Sequence, residues 1–366
     1  MCSECAEAEG DRAADHPRGS GPVAGRPERV ADNLNRALAA ALGEDPRVIL
    51  LGEDVLDPYG GAFKISRGLS TRYPDSVIGT PISESGLLGA AAGLALCGQR
   101  PIAEVMFGDF LALGFDQILN FAAKSVSMYG HRVDMHLVVR CPVGGNRGYG
   151  PTHSQSLHKH LLGIPHLTLS ETSPFHDNVR VLKKLLNLGE PCMLFENKVL
   201  YTEPMYATGP ARTGSVDELF RYDFADRAGE FARVHTEGSD GADTVIITPG
   251  GTFSRVLAAA RGLFLDFEID CQIIVPSQLY PLDPAPLLPL LERARRVCVV
   301  DEGTAGASWA DDLAGRIRDR LWGRLRNRVI VVCSRGSVIP SAAHLEREVL
   351  VQAGTVRDAL LEAADA

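Results

Sequence analysis

The sequence predicts an α/β protein made of two doubly wound domains. Three observations predict it. The chain has 366 residues, short apolar runs alternate with helical stretches, and a polar, irregular segment near the middle separates two such series. At ~100–200 residues per domain, two domains are the natural expectation. Hydrophobic residues at 45% and charged residues at 23% are ordinary for a folded chain.

Residues 1–28 are rich in Gly, Pro, Ala and charge and read as a flexible extension. Apolar residues then recur at helical spacing over 30–42, which predicts an amphipathic helix. The run VILLG (48–52) reads as a buried parallel strand, and GLLGAAAGLAL (86–96) as a helix of mostly small residues. Further strands are expected at 102–106, 135–139, 167–170 and 193–196, with helices over 115–128 and 178–188. Together these form a first domain over 29–203. Residues 204–240 read as an irregular linker. A second α/β unit, 241–366, follows with strands at 244–248, 271–275, 297–301 and 329–333. Its helices fall at 253–265, 284–293 and 309–321.

Several function classes are disfavoured. The net charge of −9 does not suit a surface that must neutralise phosphates, so nucleic acid is not an expected partner. No apolar run approaches the ~18–20 residues that span a bilayer. The N-terminus is polar and acidic without a signal-peptide core, and the eight cysteines are scattered, so the expectation is a cytoplasmic protein with reduced thiols. Cys2 and Cys5 form a C-x-x-C pair, but no second pair or βαβ context accompanies it, and a tail is the plainer reading.

Four places carry chemistry. Glu84, in TPISESG, stands at the start of the small-residue helix. Locally it can be a first-turn carboxylate that complements exposed N–H groups, or a carboxyl facing an apolar cleft with raised proton affinity. His153 lies in GYGPTHSQSLHKH, a Gly/Pro-rich loop of the kind that carries catalytic groups. His158 and His160 are close by, but no matching Cys or carboxylate spacing points to zinc. Phe107 and Phe110 in EVMFGDF follow a strand and are either core or a ligand platform. Finally, Pro249-Gly250-Gly251-Thr252 is a strand-to-helix turn, either simply tight or open to an anion.

Six blocks, taken together, are specific. They are GEDV (52–55), TPISESGLLGAAAGLAL (80–96), RPIAEVMFGDF (100–110), FDQILNFAAK (115–124), GPTHSQS (150–156) and EPCMLFEN (190–197). In order and spacing they resemble the beta subunit of the thiamine-diphosphate-dependent decarboxylating component of 2-oxo acid dehydrogenase complexes, of the pyruvate, branched-chain or acetoin type. The resemblance covers about residues 30–366 and is strongest over 47–200. It implies a pyrimidine-binding domain followed by a transketolase C-terminal-like domain that serves subunit association. Glu84 would hydrogen-bond N1′ of the cofactor's aminopyrimidine and favour the tautomer that deprotonates thiazolium C2. Met106 and Phe110 would line the ring pocket. His153 would face the substrate and manage protons or oxyanions.

The same resemblance expects a GDG motif for Mg²⁺ and the diphosphate, and this chain contains none. It therefore implies an alpha-type partner in an α2β2 assembly, with Mg²⁺ held mainly by that partner and a lipoyl acyltransferase as acceptor. A potassium ion would fall at 187–190, where Asn-Leu-Gly-Glu replaces the family's cation loop. The stretches after HSQS (Leu157-His158-Lys159) and before Pro281-Leu282-Asp283 also depart from the family pattern. These departures keep open an alternative reaction, a two-component carboligase or ketol transferase of specialised metabolism that moves a two-carbon unit.

Overall fold

The computed structural model describes residues 27–206, 212–238 and 243–363. Cys2, Cys5 and nearly all of the expected extension lie outside the described residues.

The first sheet contains β1 (Val48–Gly52), β2 (Val77–Gly79), β3 (Arg100–Glu104), β4 (Val138–Val143), β5 (Thr168–Glu171) and β6 (Cys192–Asn197). The second is led by β7 (Gly214–Ser215), β8 (Phe220–Phe224) and β9 (Phe231–Thr236), which run antiparallel. The parallel strands β10 (Thr244–Ile247), β11 (Cys271–Pro276), β13 (Arg296–Thr304) and β14 (Ile330–Ser334) complete it. Between β11 and β13 the chain crosses back: β12 (Gln278–Tyr280) pairs antiparallel with β5, at the edge of the first sheet. The orders are β12-β5-β6-β4-β3-β1-β2 and β14-β13-β10-β11-β9-β8-β7.

Nine helices are described: α1 (Val30–Glu44), α2 (Leu69–Arg72), α3 (Glu84–Leu96), α4 (Asn178–Asn187), α5 (Phe253–Phe267), α6 (Leu288–Arg293), α7 (Trp309–Arg320), α8 (Ala343–Val349) and α9 (Ala353–Glu362). None is long and apolar enough to cross a membrane. The inner strands β4, β6, β10 and β11 are buried along their whole length, as strands covered on both faces are. One buried apolar cluster runs from Leu88 and Phe195 of the first half to Ile274, Val299 and Trp309 of the second, so the two halves share a core.

Three differences from the sequence reading have physical causes. The segment read as an irregular linker carries β7, β8 and β9. Its polar residues are paired across the ladder, Arg233 to Asp223 for example, and so hide the strand pattern. The strand expected to end at residue 139 continues to Val143, because Arg140 is buried between two carboxylates instead of marking an exit. The helix expected over 115–128 is wound as a wide, π-type helix over Gln117–Ala123, preceded by a 3-10 segment, Gly108–Gly114.

Candidate active site

The carboxyl ends of β1, β3, β4 and β6 lie side by side, and parallel sheets bind ligands at that edge. Each strand leads directly into a residue of chemical interest: Glu53, Val105-Met106-Phe107, Gly144 and Lys198.

Glu84 opens α3 and is 6% exposed. The helix cap is made by its neighbour: Ser83 accepts the Gly86 N–H through its hydroxyl at 3.3 Å. The Glu84 carboxyl is thus released from capping, and among the described residues it makes no hydrogen bond. Glu53, 4% exposed, accepts the Ser83 N–H at 3.2 Å and stands close enough for the two carboxyls to repel. Burial, reinforced by the Glu84 charge, holds the Glu53 carboxyl above its usual pKa. The 3-10 segment packs against this corner. A side chain at Gly114 would lie 2.4 Å from Leu88 Cδ1 and 3.4 Å from the Glu84 carbonyl, so glycine permits the approach.

That same segment carries Phe110 to the aromatic cluster. The Phe107 ring meets Phe110 edge-on at 5.9 Å and His153 at 4.6 Å, and His153 meets Phe110 at 5.2 Å. Phe107 and Phe110 are both half-buried, a position between core and platform. His153 Nδ1 is 2.9 Å from the Thr152 hydroxyl. Met106, next in chain to Phe107, is also half-buried. The fold therefore gathers Phe107, Phe110 and His153 in one aromatic corner, with Met106 adjacent to it in the chain, and the Gly108–Gly114 segment runs from that corner to Glu84.

Other expectations are distributed differently. His158 is buried, with Nε2 2.9 Å from Glu171 Oε2, whereas His160 is exposed. Burial opposes charge on His158, but Glu171 outweighs it and raises the imidazole pKa. Among the described residues no group of three or more His, Cys, Asp or Glu could hold a metal ion. The PGGT turn receives an internal anion: Glu171 accepts the Gly251 N–H at 2.7 Å. A side chain at Gly251 would fall 2.1 Å from Asn197 Nδ2, so this turn packs directly on the first domain instead of opening to a phosphate.

Two residues at this edge escape a reading by motif. Glu53 sits in the GEDV block immediately after an apolar strand. Lys198 follows CMLFEN, is fully buried, and places its ammonium 5.7 Å from the Phe107 ring centre with no hydrogen-bond partner. Burial lowers its pKa to about 8. The available signal was positional: a charged residue at the carboxyl end of a parallel strand. Unpartnered buried hydroxyls of Thr80, Ser154 and Ser156 lie in the same two motif segments as Glu84 and His153.

The transketolase pyrimidine-binding domain family matches residues 29–204, and the transketolase C-terminal domain family matches 233–356. The acetoin:2,6-dichlorophenolindophenol oxidoreductase beta subunit of Cupriavidus necator is 33% identical over 322 residues, 86% of this chain and 90% of that one. The pyruvate dehydrogenase E1 component beta subunit of Leifsonia xyli is 30% identical, over 84% and 87% of the two chains. Among solved structures, a split-gene transketolase, described as an inactive beta4 tetramer, aligns with a TM-score of 0.67 at 18% identity. It covers 92% of this chain and 98% of its own. The transketolase of Campylobacter jejuni aligns at 0.64 and 14% identity, and this chain spans 47% of its length.

Proposed function

Because the chain belongs to the thiamine-diphosphate-dependent family of pyruvate and acetoin dehydrogenase beta subunits, built on transketolase pyrimidine-binding and C-terminal domains, we propose that it is the cofactor-activating half of a two-component 2-oxo acid dehydrogenase. In this reading the enzyme decarboxylates a 2-oxo acid and passes the acyl unit to a lipoyl group carried by an acyltransferase. The ketol-transferring alternative, which the departures after HSQS and before Pro281 left open, is not favoured by the relatives at about 30% identity, and the transketolase likeness at 18% identity carries no reaction.

One observation carries the proposal: Glu84 is a nearly buried carboxyl, freed from capping by Ser83, without a hydrogen-bond partner among the described residues, and joined to the aromatic corner by the Gly108–Gly114 segment. Such a corner fits an aminopyrimidine, whose faces are apolar and whose ring nitrogen needs a carboxyl in its plane. Glu84 would hold a proton at N1′. Met106 and Phe110 would pack on the ring and exclude water. The bound cofactor supplies a nucleophilic carbon and accepts the electron pair released with CO₂. His153, steered by Phe107 and Phe110, would then hold or release a proton at the substrate oxygen.

The diphosphate and Mg²⁺ are assigned to an alpha-type partner, because the sequence has no GDG motif. Ile82 and Leu113, exposed apolar residues on the two segments that meet at Glu84, suit a partner that closes over the cofactor in an α2β2 assembly. The 187–190 loop fits potassium poorly. Its Gly189 carbonyl accepts the Met135 N–H, and the Glu190 carboxylate pairs with Arg132.

The test is Glu84→Gln, assembled with the alpha-type partner. Exchange of the cofactor's C2 proton should slow by about two orders of magnitude or more, the scale of a lost acid–base group. Parent-like exchange would remove Glu84 from its role. An assay with a lipoyl acceptor should show acyl transfer, and transfer only to aldehydes would sink the dehydrogenase reading.

A further inference from the structure

The loop that leads from β4 to His153 begins Gly144-Gly145-Asn146-Arg147-Gly148-Tyr149-Gly150. Gly144, Asn146, Gly148 and Gly150 all have positive φ (86°, 63°, 71° and 77°), and such alternation turns successive N–H groups toward one concave side. Backbone amides arranged this way seek an anion, and here the second domain supplies two. Glu302 Oε1 accepts the Gly145 N–H at 2.6 Å. Glu346 Oε1 accepts from Asn146 at 2.8 Å, and its Oε2 accepts from Gly148 at 3.1 Å. Gln352 adds an amide donated to Asn146 Oδ1 at 3.1 Å.

The two carboxylates are built differently. Glu302 also pairs with Arg255, so removing its loop contact still leaves it a partner. Glu346 is buried, and among the described residues no cation pairs with it. Both of its oxygens are spent on the loop. A buried carboxylate compensated only by amides is costly unless those amides are held in place, and the constraint runs both ways. Packing agrees with this: a side chain at Gly145 would lie 2.3 Å from Leu350 Cδ1, and one at Gly150 would lie 2.4 Å from Ser341 Oγ. The loop therefore lies flat against 341–350.

We propose that Glu346 is a positioning residue for the active site: with Glu302 it fixes the path of the 144–150 loop and thereby the place of the His153 imidazole. The second domain then shapes the catalytic edge directly, beyond any part in subunit association. The functional half of this statement rests on the role given above to His153; the loop clamp does not.

The test uses the full chain assembled with its alpha-type partner, and the variants Glu346→Ala, Glu346→Gln, His153→Ala and the Ala/Ala double. Amide hydrogen exchange over 144–153 should quicken by about tenfold or more in Glu346→Ala, and less in Glu346→Gln, while β10 and β11 stay at parent rates. Turnover should fall by about tenfold or more with KM little changed. The double variant should be no slower than His153→Ala alone, since a positioning residue acts through the group it positions. Unchanged exchange in the loop, or losses that multiply in the double variant, would overturn the proposal. Should Glu346→Ala not assemble, Glu346→Gln carries the same exchange comparison. If His153→Ala turns over like the parent, the role of His153 falls, and loop exchange alone then decides the clamp.

Discussion

Lys198 bears a buried ammonium that lies over the face of Phe107, makes no hydrogen bond among the described residues, and feels the carboxylates of Glu302 and Asp109 from farther off. The fold lowers its pKa from 10.5 to about 8, mainly by desolvation. The folded state thus gives up this proton before the unfolded chain does. Stability contributed by this site should therefore rise as pH climbs from about 8 to 10.5, because the unfolded state binds more protons across that window. Lys198→Met should abolish that rise and stabilise the chain at pH 7 by on the order of 1–3 kcal/mol, measured by chemical denaturation across the range. A less stable Met variant at pH 7 would mean that the ammonium is paired. Lys198 was invisible to motif reading because a charged residue after a strand looks solvated until the tertiary contacts close. Glu84 and His153 are singled out by the local patterns TPISESG and GPTHSQS, but their neighbours in space, Glu53 for the first and Phe107 and Phe110 for the second, come from distant segments. Glu53 lies within the GEDV block, yet its approach to Glu84 depends on β1 and α3 meeting.

At the scale of elements, α3 and the 3-10 segment are held together by the absence of a side chain at Gly114. Gly114→Ala would press a methyl into Leu88 and the Glu84 carbonyl. It should cost about 1–3 kcal/mol of stability and displace the first turn of α3. Thermal unfolding of the chain reads the first effect, and weakened cofactor affinity of the assembled enzyme reads the second; an Ala variant matching the parent in both would show that the corner is loose. Sequence periodicity finds the helix after Gly114 but not its π winding, which spans only seven residues, too few for its different period to show. Charge misled the reading of β4. Arg140 donates two hydrogen bonds to Glu196, at 2.6 and 2.7 Å, and pairs with Glu104, so a residue that normally ends a strand sits in its middle. Burial pushes Glu104 above its usual pKa even against this Arg, because Glu196 shares the same cation.

Over the whole molecule, the alternation of short apolar strands with helices made two α/β units readable. What it concealed was their entanglement. The strands of 204–240 were masked by cross-strand polar pairs, and no local pattern announces that Glu171 of one half caps the Gly251 turn of the other. The proposed split of the cofactor site between two chains is also a property at this scale. The chain alone should bind thiamine diphosphate with Mg²⁺ weakly or not at all by calorimetry, and tightly once an alpha-type partner bearing GDG is added. Tight binding by the isolated chain would contradict the division of labour. The crossing of β12 to the edge of the first sheet also bears on biosynthesis. As the ribosome delivers the polypeptide, β5 must wait with its outer backbone groups bare until residues 278–280 emerge, more than a hundred positions later. A nascent or truncated product stopping short of that point would present an open template for stray β-pairing, so chaperone attendance during translation is the expected companion of this topology.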